Sequence, residues 1–171
     1  KVATSVLTIP VDPYMPMEEL ERHESIKAEC ISALEALSSN ASLWSSISKD
    51  ALPAIVTYLH SACDSGREDG KDTRCAALRA IMQIVQLPSH AVSAARVGLA
   101  EPLGKMVGQC ATGTALADGD DEMPMLALEV LHVIVTNEEA RREARFLECG
   151  VIKAVCHALG NAATETPRKP T

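Results

Sequence analysis

The residues with the most chemical potential in this chain are Cys156 and His157, a thiol and an imidazole side by side. A Cys–His pair does nucleophilic catalysis when the imidazole can take the thiol proton. Adjacency works against it here, because successive side chains on a helix point about 100° apart. Cys156 also falls on an apolar line with Ile152, Val155 and Leu159, which predicts a packed thiol rather than a reactive one. His23, His60, His90 and His132 show no metal-ligand spacing of the H-x-x-x-H kind. The acidic run DGDDE, residues 118–122, has the charge for a cation but lacks the spaced oxygens and closing Glu of a calcium loop. It reads as a solvated loop. There is no phosphate-binding glycine loop and no nucleophile elbow. The sequence therefore predicts no catalytic residue, no metal and no cofactor.

Composition narrows the remaining classes. Apolar residues make up 47% of the 171, yet aromatics only 2%. The apolar mass is thus aliphatic and small, which suits helix packing better than sheets. A net charge of −7 with few aromatics lacks both the basic footprint and the stacking platforms of a nucleic-acid binder. No apolar run is long enough for a membrane span. The six cysteines contain no C-x-x-C pair, and most sit on apolar helix faces, so they read as small hydrophobes of a reduced, cytoplasmic protein. A start at Lys1 and a polar tail, TETPRKPT, suggest a piece of a larger protein, with neighbouring repeats in a parent chain.

The elements that must position any site come from internal repetition. CISALEALSSN from Cys30, CAALRAIMQIV from Cys75 and LALEVLHVIV from Leu126 share an Ala-Leu pair. The paired leucines, Leu34, Leu78 and Leu128, are separated by 44 and then 50 residues. Between them a second motif recurs: DALPAIVTYL (50–59), GLAEPLGKMV (98–107) and GVIKAVCHAL (150–159). Its apolar positions follow i, i+3, i+4, i+7: Leu52, Ile55, Val56, Leu59; then Ala100, Leu103, Gly104, Val107; then Ile152, Val155, Cys156, Leu159. Short helices precede each copy, at 42–49, 89–97 and 137–148. Asp50 and Asn137 are placed to cap, Pro88 to stop a helix before a Ser89 cap, and Gly98 and Gly150 to turn the chain sharply. Pro16 and Pro124 suit first helical turns. Trp44, on the first short helix, is expected to plug the junction between neighbouring repeats.

Taken together, "EALSSNASLWSSISKDALPAIVTYL" and "HVIVTNEEARREARFLECGVIKAVCHAL" resemble the armadillo-repeat family, with HEAT repeats as the near alternative, over roughly residues 25–160. The resemblance implies an all-α, right-handed solenoid: a lone third helix at 16–39, two full units and a last unit cut after its second helix. Residues 1–15 are then an extended or loose arm, 16–160 the repeat domain with insertions at 63–72 and 110–124, and 161–171 a tail. It also implies that third helices line a concave groove. Nuclear-import members of the family hold a basic peptide there with Trp and Asn four residues apart. The matching pairs are Glu35 and Ser39, Arg79 and Gln83, and Glu129 and Val133. None carries Trp or Asn, so that mechanism is unsupported.

These six remain the candidate partner-binding residues. Glu35, Arg79 and Glu129 either pair between repeats on a solvated face or form a partner-binding row. Reversing Arg79 to Glu is expected to spare the fold. The function this implies is a non-catalytic protein- or peptide-binding module of a larger scaffold, trafficking or adaptor protein. The alternatives are a regulatory or targeting segment of a multidomain ligase or kinase, and a purely structural stretch of a long solenoid. A repeat array cut mid-unit is also expected to expose apolar edges, Val151, Val155 and Leu159 among them, and to self-associate.

Overall fold

The computed structural model describes residues 2–9, 14–64, 70–111 and 122–164. All regular structure among these residues is helical: α1 (Val2–Leu7), α2 (Met17–Ser38), a 3-10 turn (Ala41–Leu43), α3 (Trp44–Asp64), α4 (Lys71–Ile84), α5 (Pro88–Arg96), α6 (Ala100–Ala111), α7 (Glu122–Thr136), α8 (Glu138–Glu143) and α9 (Val151–Thr164). No helix is long and apolar enough to cross a membrane, among the described residues.

The helices stack in three parallel rows, as recurrence of two helical motifs requires. One row runs α1, α3, α6, α9; a second runs α2, α4, α7; α5 and α8 form a third. Each copy of the second motif buries its stripe where a neighbour covers it. Leu52, Ile55, Val56 and Leu59 of α3 are sealed in the core, as are Ala100, Leu103 and Val107 of α6. The core is almost wholly aliphatic, with Ile31, Leu78, Ile81, Ile84, Leu99 and Met106 also fully buried.

Local chemistry sets the turns. Gly98 and Gly150 have φ of +85° and +73°, the left-handed conformation that glycine adopts without a Cβ penalty. Asn137 caps α8 by accepting from the Ala140 amide at 3.0 Å, and its own amide donates to the Pro88 carbonyl at 3.2 Å, tying α8 to α5. Trp44 donates from its indole to the Ser38 carbonyl at 2.6 Å, satisfying the open end of α2.

Several expectations need correction. Residues 1–15 are not an extended arm throughout: Val2–Leu7 form a helix, too short to show a period, and Leu7 enters the core. The short helix at 42–49 does not stop at Asp50. Helix α3 runs through it and through Pro53, and Asp50 lies in its interior. Lys49, whose carbonyl Pro53 cannot reach, is on the exposed side, where water can serve that carbonyl. Pro88 starts α5 as its first residue instead of stopping a helix before Ser89. The helix expected at 137–148 ends at Glu143, and α9 extends to Thr164, into the expected tail. Of the two insertions, 65–69 and 112–121 lie outside the described residues, as do 165–171 of the tail. Asp64 ends α3 and Glu122 opens α7, so both belong to helices.

Candidate functional site

The six residues singled out from the sequence lie on the α2–α4–α7 row or at its ends. Glu35 is on α2, Arg79 and Gln83 on α4, Glu129 and Val133 on α7, and Ser39 caps the C-terminus of α2. Arg79 is the centre of the arrangement. Its Nε donates to Glu35 Oε1 at 2.6 Å and its Nη1 to Glu122 Oε1 at 2.9 Å, so one guanidinium joins three helices. The hydrogen bond from Arg79 to Glu35, then that to Glu122, holds the guanidinium even further above its already high ordinary range.

Glu129 is not the third member. Glu122, the same residue type seven positions earlier on the same face of α7, takes its place. Seven residues are about 10.5 Å along a helix, so the Arg79 side chain turns toward the N-terminal end of α7 rather than to its register-matched residue. Glu129 is exposed and makes no ion pair among the described residues. Ser39 and Gln83 are exposed, with Ser39 Oγ donating to the Glu35 carbonyl at 3.4 Å. Val133 packs against the core and is only half-exposed.

The Arg79 geometry also changes what its reversal would do. Three carboxylates would then meet where one cation now joins them, so Arg79→Glu disturbs helix packing as well as surface charge. For partner tests Gln83 and Ser39 are the cleaner probes.

Two further cation bridges were not visible from spacing. Lys105 of α6 donates to Asp64 of α3 at 2.7 Å and pairs with Glu101 at 3.1 Å. Hydrogen bonding to Asp64 and then Glu101 raises the Lys105 ammonium, and the same bond lowers the Asp64 carboxyl. Arg96 of α5 reaches Glu143 at 3.1 Å and Glu139 at 3.6 Å on α8. Each of the three rows thus carries a cation that bridges two of its helices, the partners standing 41 to 47 residues apart in sequence. Separations that long follow only from the stacking register.

The cysteines differ in burial within each row. Cys63 and Cys75 are buried, Cys30 and Cys149 half-buried. Burial pushes the Cys63 thiol up, away from thiolate character. Cys156, expected to be packed, is exposed, with Ile152 and Leu159 beside it on α9. The core-facing line of α9 is instead Val151 and Ala158, and no helix lies over the outward line among the described residues. No group of three or more His, Cys, Asp and Glu side chains is placed to hold a metal ion, among the described residues. DGDDE lies outside the described residues except for Glu122. Neither a protein-family model, nor a curated protein, nor a solved structure matches the chain.

Proposed function

We propose that this chain is an armadillo-like, right-handed helical-repeat module that binds a protein or peptide partner along its α2–α4–α7 face, within a larger cytoplasmic scaffold or adaptor. The observation that carries the reading is the three-row stacking itself. It buries the second-motif stripes of α3 and α6 while leaving Ser39, Gln83 and Glu129 exposed along consecutive third helices. A stack of this kind gains nothing for its own stability from exposed polar side chains repeated along one face, and such faces are where repeat proteins meet partners. The absence of aromatic anchors on that face favours a polar, weakly bound and salt-sensitive ligand.

Placing a photo-crosslinking amino acid at Gln83 or Ser39 in cells tests this. The same partner should crosslink at both positions and not at Ser93, which is exposed on α5. If Gln83 and Ser39 give no adduct, or the same adducts as Ser93, the face is not the binding surface.

A further inference from the structure

The two insertions divide the helices from α2 onward into three segments: α2 and α3 (17–64), α4 to α6 (71–111), and α7 to α9 (122–164). The first and the last both pack on the middle one. Their charges alternate. The first segment holds three Lys and Arg against eight Asp and Glu, the last four against six, but the middle five against two. The order along the stack is thus acidic, basic, acidic.

The ion pairs use that order. Among the described residues, every ion pair that joins two segments takes its cation from the middle one. Arg79 reaches Glu35 in the first segment and Glu122 in the last. Lys105 reaches back to Asp64, and Arg96 forward to Glu139 and Glu143. The paired cations of the flanking segments bond within their own segment instead: Lys27 to Glu24, Arg142 to Glu138, and Arg145 to Glu148. Nor are the three bridging cations part of the repeat. Arg79 is matched by Glu35 and Glu129, Lys105 by Thr57 and His157, and Arg96 by Ser48 and Glu148.

Apolar packing carries less information about order. Helices α2, α4 and α7 bear variants of one motif, as do α3, α6 and α9. Among the described residues Tyr58 is the only buried aromatic, so few side chains have a shape that fits one neighbour alone. Aliphatic stripes of similar size accept one another with small differences in energy. A chain that collapsed with its last segment against its first would bury comparable apolar area. It would also bring Glu35 and Asp64 toward Glu122, Glu139 and Glu143 with no bridging cation between them. Exposed ion pairs add little to the stability of any one state. Specificity rests on the difference between two states, and here attraction in one becomes repulsion in the other.

We infer that Arg79, Arg96 and Lys105 specify the order of the stack: while the chain folds, they admit an acidic segment on either side and keep the two acidic segments from packing on each other. This holds whether or not the α2–α4–α7 face binds a partner.

The test is refolding fidelity. The full chain is unfolded in urea, which adds no charge, and diluted into low ionic strength or into about 1 M salt, where screening shortens to about 3 Å. Two quantities are read: the fraction recovered as monomer with native helical circular dichroism, and the unfolding rate of that monomer. Salt should raise the misassembled fraction of the wild type about threefold. Arg79→Gln, Arg96→Gln and Lys105→Gln combined should show that higher fraction already at low ionic strength and respond to salt no further. The three single neutralisations, each at a partly exposed side chain, should each give part of the rise, and they carry the test if the combined variant does not fold. Arg79→Glu alone should lower recovery, and adding Glu35→Lys and Glu122→Lys, which rebuilds the bridge with its charges reversed, should restore it. The inference is overturned if recovery is the same with and without the cations, if salt affects the neutralised variants as much as the wild type, or if the reversed bridge restores nothing. It is overturned equally if neutralisation speeds unfolding and leaves recovery unchanged, since the pairs would then only clamp a stack whose order is set elsewhere.

Discussion

Tyr58 shows how a single buried polar group links the core to solution conditions. It is 5% exposed on α3, and desolvation by burial, with a smaller contribution from Glu24, pushes its phenol up to about 12 from the ordinary 10. A hydrogen bond with Thr73 and the nearby Arg74 act the other way without reversing the shift. The folded state therefore keeps its proton where the unfolded chain, with Tyr near 10, has lost it. Stability from this group is fully present below about pH 10 and falls as pH rises from 10 toward 12, because the unfolded state binds fewer protons there. Denaturant melts across that window should show the wild type losing on the order of 2 kcal/mol more than Tyr58→Phe. Parallel alkaline losses in the two proteins would mean that Tyr58 ionises freely when folded.

Helices α6 and α9 approach closely because Gly104 has no side chain. A Cβ there would lie 2.8 Å from Val151 Cγ2 and 3.2 Å from Val151 Cα. The second contact is backbone, so a rotamer change cannot relieve it. Gly104→Ala should gain about 1 kcal/mol in helix propensity and lose about 1–3 kcal/mol to overpacking, for a net destabilisation centred on α9. Gly108→Ala, whose Cβ would meet Ala154 at an ordinary 3.5 Å, is the control and should be neutral or stabilising. A Gly104→Ala protein as stable as the Gly108→Ala protein would refute close packing at this crossing. The spacing of Gly104 on the stripe was legible in the sequence, but its partner was not. A 3.6-residue period tells which side of a helix is buried and nothing about which helix covers it. That is why the stripes of α3 and α6 were read correctly and that of α9 was not: Ile152, Cys156 and Leu159 have the right spacing and are exposed among the described residues. Continuity of α3 through Pro53 and the Glu122-for-Glu129 exchange were hidden for a related reason. Both depend on what surrounds the helix, on an exposed carbonyl in one case and on which way the Arg79 side chain turns in the other.

At the scale of the whole molecule, stacking in rows makes stability a local quantity. Each helix touches its neighbours along a row and the adjacent rows, so interior helices are held from both sides and terminal ones from one. Helices α4 and α6 lie inside. Among the described residues, α9 rests on α6 with Ile152, Cys156 and Leu159 exposed, and α1 packs chiefly against α2 and α3. Native-state hydrogen exchange should therefore show a gradient, with opening free energies highest in α4 and α6 and lowest in α1 and α9. Two substitutions make the test sharper. Val151→Ala, in the contact of α9 with α6, should lower protection in α9 and leave α4 nearly unchanged. Ile55→Ala, at a fully buried position of α3, should cost about 2–5 kcal/mol and lower protection on both sides of it, because α3 bridges the first two members of each row. If all amides instead opened with one common free energy, and Val151→Ala lowered α4 as much as α9, the stack would be a single cooperative unit. The α7–α9 end would then be as firmly held as the interior.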